Sequence, residues 1–272
     1  MRGTGLSLLG VIFSGCGTKD NQEELTPEEK IYSEVTCAIE EIKVHQSYEI
    51  HIPDDGTGTI VERFTDEKGK KWALILTTTH TLSEDAPIST IDINCGDTLI
   101  ERGLYVNHND LSRNRRRAYI ASGSNGASVV LVPAGNDVNK NPKVAELSNN
   151  TDFDLGESIV GPSIMFEKDK DGNLKPPKLE INLYSVTGVG FTTEFVEIGT
   201  VLTDVVQLNG EPIESGSGSL GRKNGRGNLV IQGSGNRNKK ETYATIVTKE
   251  EVESLSQKAK ALKAEVEALL EE

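Results

Sequence analysis

Short apolar runs rich in β-branched residues alternate with turn-forming clusters through most of the chain. The runs are Tyr48–Ile52, Gly58–Phe64, Trp72–Thr77, Ile88–Ile93, Val129–Val132, Leu179–Val186, Val201–Leu208, Leu229–Gln232 and Thr242–Val247. Between them lie Pro53-Asp54-Asp55-Gly56, Asp66-Glu67-Lys68-Gly69, Ser124-Asn125-Gly126, Asp169-Lys170-Asp171-Gly172 and Asn224-Gly225. Apolar runs this short, bounded by Gly, Asn and Asp, predict strands joined by tight turns. Many in succession predict an all-β barrel or sandwich over residues 34–247. The pattern changes at Thr248. Thr248-Lys249-Glu250-Glu251 is a capping box, and Val252, Leu255, Ala259, Leu262, Val266 and Leu269 then recur at alternating spacings of 3 and 4. Residues 248–272 therefore read as an amphipathic helix. Its first half is expected to pack on the barrel; for the rest, packing on the same chain is expected over self-association by pairing with another chain, since three heptads are marginal for an independent coiled coil.

The start of the chain reads differently. Met1-Arg2 precedes an apolar run from Leu6 to Phe13, followed by Ser14-Gly15-Cys16. The run is too short to span a bilayer and long enough for the apolar part of an export signal. Phe13-Ser14-Gly15-Cys16 resembles the lipobox of bacterial lipoproteins. The resemblance implies cleavage after Gly15, lipidation of Cys16, and an exported protein held on the membrane of the cell envelope. Residues 1–15 are then the signal and 16–33 a polar tether. A non-lipidated signal, or an N-terminal strand with a chance cysteine, are the other readings. Within the tether, Thr26-Pro27-Glu28-Glu29 has the order of a helix start, with Thr at the N-cap and Pro at the first helical position.

Composition narrows the function. The 272 residues are 35% hydrophobic, enough for a packed core, and only 5% aromatic, with Trp72 the single tryptophan. The formal net charge is −13, which disfavours a nucleic-acid backbone as the main partner. No G-x-G-x-x-G or P-loop follows a strand, so nothing supports a nucleotide fold. Apart from Cys16 the cysteines are Cys37 and Cys95. In an exported domain they can form a disulfide; two separate buried thiols are the alternative.

Several segments carry chemistry through their order. Gly56-Thr57-Gly58-Thr59-Ile60-Val61 precedes Ala73-Leu74-Ile75-Leu76-Thr77-Thr78-Thr79-His80. Asn94-Cys95-Gly96-Asp97, Ala127-Ser128-Val129-Val130-Leu131-Val132 and Leu155-Gly156-Glu157-Ser158-Ile159-Val160 follow. Thr203-Asp204-Val205, Glu214-Ser215-Gly216-Ser217-Gly218-Ser219 and Asn228-Leu229-Val230-Ile231-Gln232 come last. In this order, over residues 34–265, the chain resembles the trypsin-like serine peptidases. The resemblance implies an all-β fold of two six-stranded-type antiparallel barrels with a C-terminal α-helix.

It also implies roles. His80 would be the general base, Ser217 or Ser215 the nucleophile, and the N–H groups of the loop around Gly216 and Gly218 the oxyanion site. Ser217 is preferred for its spacing to the following strand. The family has a glycine two residues before its nucleophile; Ser215 stands there for Ser217, and Ile213 for Ser215. The family's acid, which orients the base, falls at Ala127, or at Asn125 if the register slips by two, and neither is a carboxylate. Three readings compete: a peptidase with its acid supplied from elsewhere, a slow His–Ser dyad, or a peptidase fold that binds a peptide or protein partner without cleaving it. No cofactor is implied. The partner is a polypeptide substrate or envelope protein, together with the membrane through the N-terminal lipid.

Other features point less far. Asp169-Lys170-Asp171-Gly172-Asn173, with Glu180 at its twelfth position, has the oxygens of a calcium loop, but Pro176-Pro177 interrupts it and a hairpin tip is the expected structure. Arg113, Arg115, Arg116 and Arg117 read as a solvated basic loop. His45, His51 and His108 lack neighbours that would make a zinc site.

Overall fold

Asp66 turns the chain between two of the strands of its largest core. The Asp66 amide donates to the Lys70 carbonyl at 2.9 Å, Gly69 adopts φ +77°, and Oδ1 of Asp66 accepts from the amides of Lys68 and Lys70 at 3.0 and 2.8 Å. The aspartate side chain thus replaces part of the backbone bonding that a tight turn leaves open. Ser124-Asn125-Gly126 does the same later: Gly126 takes φ +79° and the Gly123 amide reaches the Ala127 carbonyl at 2.8 Å.

The computed structural model describes residues 12–13, 26–45, 48–49, 54–82, 89–95, 98–106, 116–134, 143–165, 178–195, 200–209, 216, 218–221, 228–236 and 241–271. The strands are β1 (Ile12–Phe13), β2 (Thr36–His45), β3 (Tyr48–Glu49), β4 (Asp54–Thr65), β5 (Lys71–Thr78), β6 (Ser89–Cys95), β7 (Thr98–Tyr105), β8 (Tyr119–Ser122), β9 (Ala127–Pro133), β10 (Ser158–Met165), β11 (Lys178–Phe195), β12 (Thr200–Asn209), β13 (Gly218–Gly221), β14 (Asn228–Asn236) and β15 (Glu241–Ile246). Helices α1 (Pro27–Glu34) and α2 (Lys249–Glu271) flank them.

Apart from the two-residue β1, these strands form two curled antiparallel sheets. The first runs β7-β6-β2-β4-β5-β9-β8, with β3 added to β2. In the second, β10-β13-β14-β15-β12-β11 closes into a ring, because β11 pairs with both β10 and β12. β11 can do so because it is long and irregular. Its first part pairs with β10 as far as Ser185, its second part with β12 from Ser185 onward, and the register shifts past Val186, Gly188 and Phe191. Bulges of this kind bend a strand around a barrel corner. The expected all-β architecture of two antiparallel, barrel-like sheets and a C-terminal helix is therefore observed, the second sheet closed and the first curled and open among the described residues.

The larger core lies in the first sheet. β9 is buried at every position, as is β5 from Trp72 onward. Strands buried on both faces read as continuous apolar runs. The second face is covered by α2, whose Val252, Leu255, Ala259 and Val266 join the core of Ile39, Ile60, Leu74, Ile75 and Leu131. The helix packs on its own barrel from Val252 as far as Val266, as expected, and of the stripe only Leu269 is strongly exposed. The capping box forms as the sequence predicts: the Glu251 amide donates to Thr248 Oγ1 at 3.2 Å, and the Thr248 amide to Glu251 Oε2 at 2.7 Å. A smaller core of Phe153, Ile159, Tyr184, Val186, Val206, Leu208 and Ala244 fills the ring.

Polar side chains fix α2 against the β4–β5 hairpin. Ser256 Oγ donates to Glu62 Oε2 at 2.8 Å, and Lys260 Nζ to Glu62 Oε1 at 2.5 Å. Trp72 Nε1 donates to Asp66 Oδ2 at 2.8 Å, and Lys263 pairs with the same oxygen at 3.3 Å while lying 4.7 Å from the Trp72 ring centre.

Cys37 and Cys95 are directly opposed residues of β2 and β6, and their sulfurs are joined. Of the two readings left open by the sequence, the disulfide is the one observed. At the N-terminus, Pro27 begins α1, and the Thr26 carbonyl accepts from the Lys30 amide at 3.0 Å. Ile12–Phe13, within the stretch read as an export signal, pairs in parallel with Glu180–Ile181. Cys16, the expected hairpin tip at residues 169–173, Arg113, Arg115, His51 and His108 lie outside the described residues.

Candidate active site

β5 ends at Thr78 and passes into a single 3₁₀ turn, Thr79–Thr81, that carries His80 at its centre. The turn is tied to the β8–β9 hairpin. The Thr79 amide donates to the Gly126 carbonyl at 2.8 Å, and the Thr79 hydroxyl meets Ser128 Oγ at 2.9 Å. Ser128 Oγ in turn donates to Ser122 Oγ at 2.8 Å. The hydroxyls of Thr78 and Thr81 hydrogen-bond across the turn, and the Leu82 amide closes it on the Thr79 carbonyl at 3.1 Å. The imidazole of His80 is half-buried. Its Nδ1 atom is buried with no hydrogen bond to it, while the residue keeps other interactions of its own.

Ala127 opens β9 in register with Thr78. It is fully buried, so the acid position of the resemblance holds a methyl group packed in the core. Asn125 offers no substitute. Its Nδ2 donates to the Ile246 carbonyl and to Glu251 Oε1, both at 3.3 Å, and its Oδ1 accepts from the Ala127 amide at 3.3 Å. It ties the hairpin to the start of α2.

Ser215 and Ser217 lie outside the described residues, but the glycines that flank Ser217 are described. Gly216 is buried at φ +89°. A Cβ built on it would run into the Thr57 carbonyl oxygen and the Thr77 hydroxyl. Only glycine suits that backbone conformation and that approach together. Gly218 opens β13, and its amide donates to Thr59 Oγ1 of β4 at 3.1 Å. The Thr77 hydroxyl donates to the Thr57 carbonyl at 2.8 Å. Thr57, Thr59 and Thr77 are all buried. The loop of the second sheet therefore rests on a patch of threonines in the first, and Thr77 stands three residues before His80. Gly216 thus packs against β5 at Thr77, three residues before the histidine.

This threonine patch is the feature that sequence reasoning missed. Its signal is the alternation Gly56-Thr57-Gly58-Thr59. Successive strand residues point to opposite faces, and a Cβ at Gly58 would meet Ile75 and Ile39 of the barrel interior. Thr59 points the other way, at the second sheet.

Two curled antiparallel sheets, one of them a closed six-strand ring, with a helix after the last strand, make a trypsin-like double barrel. Solved structures similar to this chain include the protease domain of MamO from Magnetospirillum magneticum in its apo form. It matches at 10% identity and a TM-score of 0.43, over 82% of this chain and 96% of that one. A Nocardiopsis protease matches at 12% identity and a TM-score of 0.37, over 74% of this chain and 91% of its own. No family model matches the chain, and no curated protein matches it.

Proposed function

We propose that this chain is a peptidase-fold protein that binds polypeptide at the cell envelope and does not turn it over. The observation that carries the reading is Ala127, a buried methyl group in register with Thr78 where the resemblance calls for a carboxylate. A base without an orienting acid loses its tautomer and the stabilisation of its imidazolium, at a loss of about 10⁴ in turnover. A second reading, slow hydrolysis by a His80–Ser217 dyad with Ser215 as the other candidate, is favoured by the packing of Gly216 against Thr77, three residues before His80.

Envelope location and lipidation at Cys16 belong to the same proposal. The lipobox-like Phe13-Ser14-Gly15-Cys16 supports them, and the Cys37–Cys95 disulfide fits an oxidising compartment.

Incubation with a mixed peptide library, followed by gel filtration and mass spectrometry, tests the reading. The binding account expects retained peptides recovered intact. Cleaved peptides, absent from a His80→Ala control, would favour the dyad. Neither retention nor cleavage would count against both.

A further inference from the structure

We propose that Thr59 is a positioning residue that holds the glycine loop of the second sheet in its working geometry. The inference rests on reading the Gly216–Gly218 loop as the site. Its argument starts from the buried amide of Gly218. A buried N–H left without an acceptor is costly, and here the acceptor is a side chain from the other sheet, 159 residues away in sequence. The Thr59 hydroxyl therefore supplies that amide with an acceptor from the other sheet.

The neighbouring contacts make the arrangement specific. Gly216 lies against the Thr57 carbonyl and the Thr77 hydroxyl, and Gly218 against Thr59. The Thr77–Thr57 hydrogen bond occupies the carbonyl that Gly216 faces. The main chain on both sides of position 217 is thus fixed by three threonines of the first barrel. The support continues beneath them, since Thr59 is paired with Thr36 on β2, and the adjoining pair is Cys37 with Gly58. Cys37 carries the disulfide to β6, so β2, the strand beside the patch, is covalently braced.

The test replaces the hydroxyl and keeps the shape. Thr59→Val removes the acceptor with almost no change in volume. Thr59→Ser keeps the acceptor and removes a methyl group. Backbone amide exchange is read by NMR at Gly216 and Gly218 and at core amides of β5 and β9. In Thr59→Val the Gly218 amide should exchange about tenfold faster or more relative to the core amides. In Thr59→Ser it should return close to wild type. Uniform acceleration at every amide in Thr59→Val would overturn the proposal, since that is what a purely structural threonine would give. So would a Thr59→Ser variant no better than the valine. Should Thr59→Val fail to fold, the Ser variant alone decides, by whether Gly218 keeps its protection. None of these readouts depends on cleavage or peptide binding, so failure here and failure of the proposed function are distinguishable.

Discussion

Thr78 of β5 and Ala127 of β9 stand directly opposite each other, two residues short of His80 along the chain. Under the proposed function, this pairing places Ala127 where the resemblance calls for a carboxylate. Ala127→Asp should therefore restore reactivity to the site. The new carboxylate would be buried, which raises its pKa unless a cation faces it, and the His80 imidazolium is the group the resemblance supplies. Turnover of an activated ester should rise by up to about 10⁴ over wild type, and the gain should disappear in Ala127→Asp combined with His80→Ala. A folded Ala127→Asp protein with no gain would show that more than the acid has been lost.

Gly216 and Gly156 share a left-handed backbone, φ +89° and +82°, in different surroundings. Nothing lies within 4 Å of a Cβ built at Gly156, whereas one at Gly216 would strike Thr57 and Thr77. Gly156→Ala should cost about 1–2 kcal/mol, the backbone penalty alone. Gly216→Ala should cost that plus about 1–3 kcal/mol for overpacking. Urea unfolding of the two variants measures both, and equal losses would deny the close contact between loop and threonines.

Asp66 makes the protein sensitive to acid. Burial alone would push its carboxyl up. The Trp72 indole, the Lys70 amide and Lys263 outweigh that and hold it below the ordinary carboxylate value. A carboxyl lowered in the folded state binds fewer protons than in the unfolded chain, so its contribution is present above the unfolded pKa. That contribution fades as pH falls through the folded one. Stability should drop below about pH 4, with a change in Trp72 fluorescence. Asp66→Asn should flatten this dependence while lowering stability at neutral pH.

Tyr119 does the reverse at the alkaline end. Burial first, then the Glu267 carboxylate, push its phenol up to about 12, against a smaller opposing effect of Arg117. Its protonated form is the folded one, so its contribution is complete below about pH 10, the unfolded value, and is lost as pH rises towards the folded value. Phenolate absorbance should show one tyrosine titrating late, and Tyr119→Phe should remove that late step.

Much of the fold is legible in the sequence because turns and strands obey local rules. Asp66 to Gly69 and Ser124 to Gly126 turn where Gly and Asn/Asp place them, and the runs at Trp72 and Val129 become β5 and β9. β2 is harder to read, since Glu40-Glu41 interrupts its apolar run, and β10 holds Gly161 and Pro162, residues that argue against a strand. β13, Gly218–Gly221, reads as loop because its order comes from pairing with Leu220↔Asn228 and its neighbours, which no local pattern encodes. At the site, His80 and Ala127 are legible through the order of segments. The Thr59–Gly218 contact is not, because a hydrogen bond between residues so far apart in sequence depends on how the two sheets meet. The stripe of α2 shows that a face is buried, and its packing on the same chain is the reading the structure bears out.

The proposed function holds that this peptidase-like fold binds polypeptide without turning it over. Intact-mass analysis after exposure of the folded protein to a fluorophosphonate tests it most directly. The account predicts no adduct on Ser217 or Ser215 under conditions that label Ala127→Asp. A stoichiometric adduct on either serine of the wild-type protein, lost in His80→Ala, would contradict it.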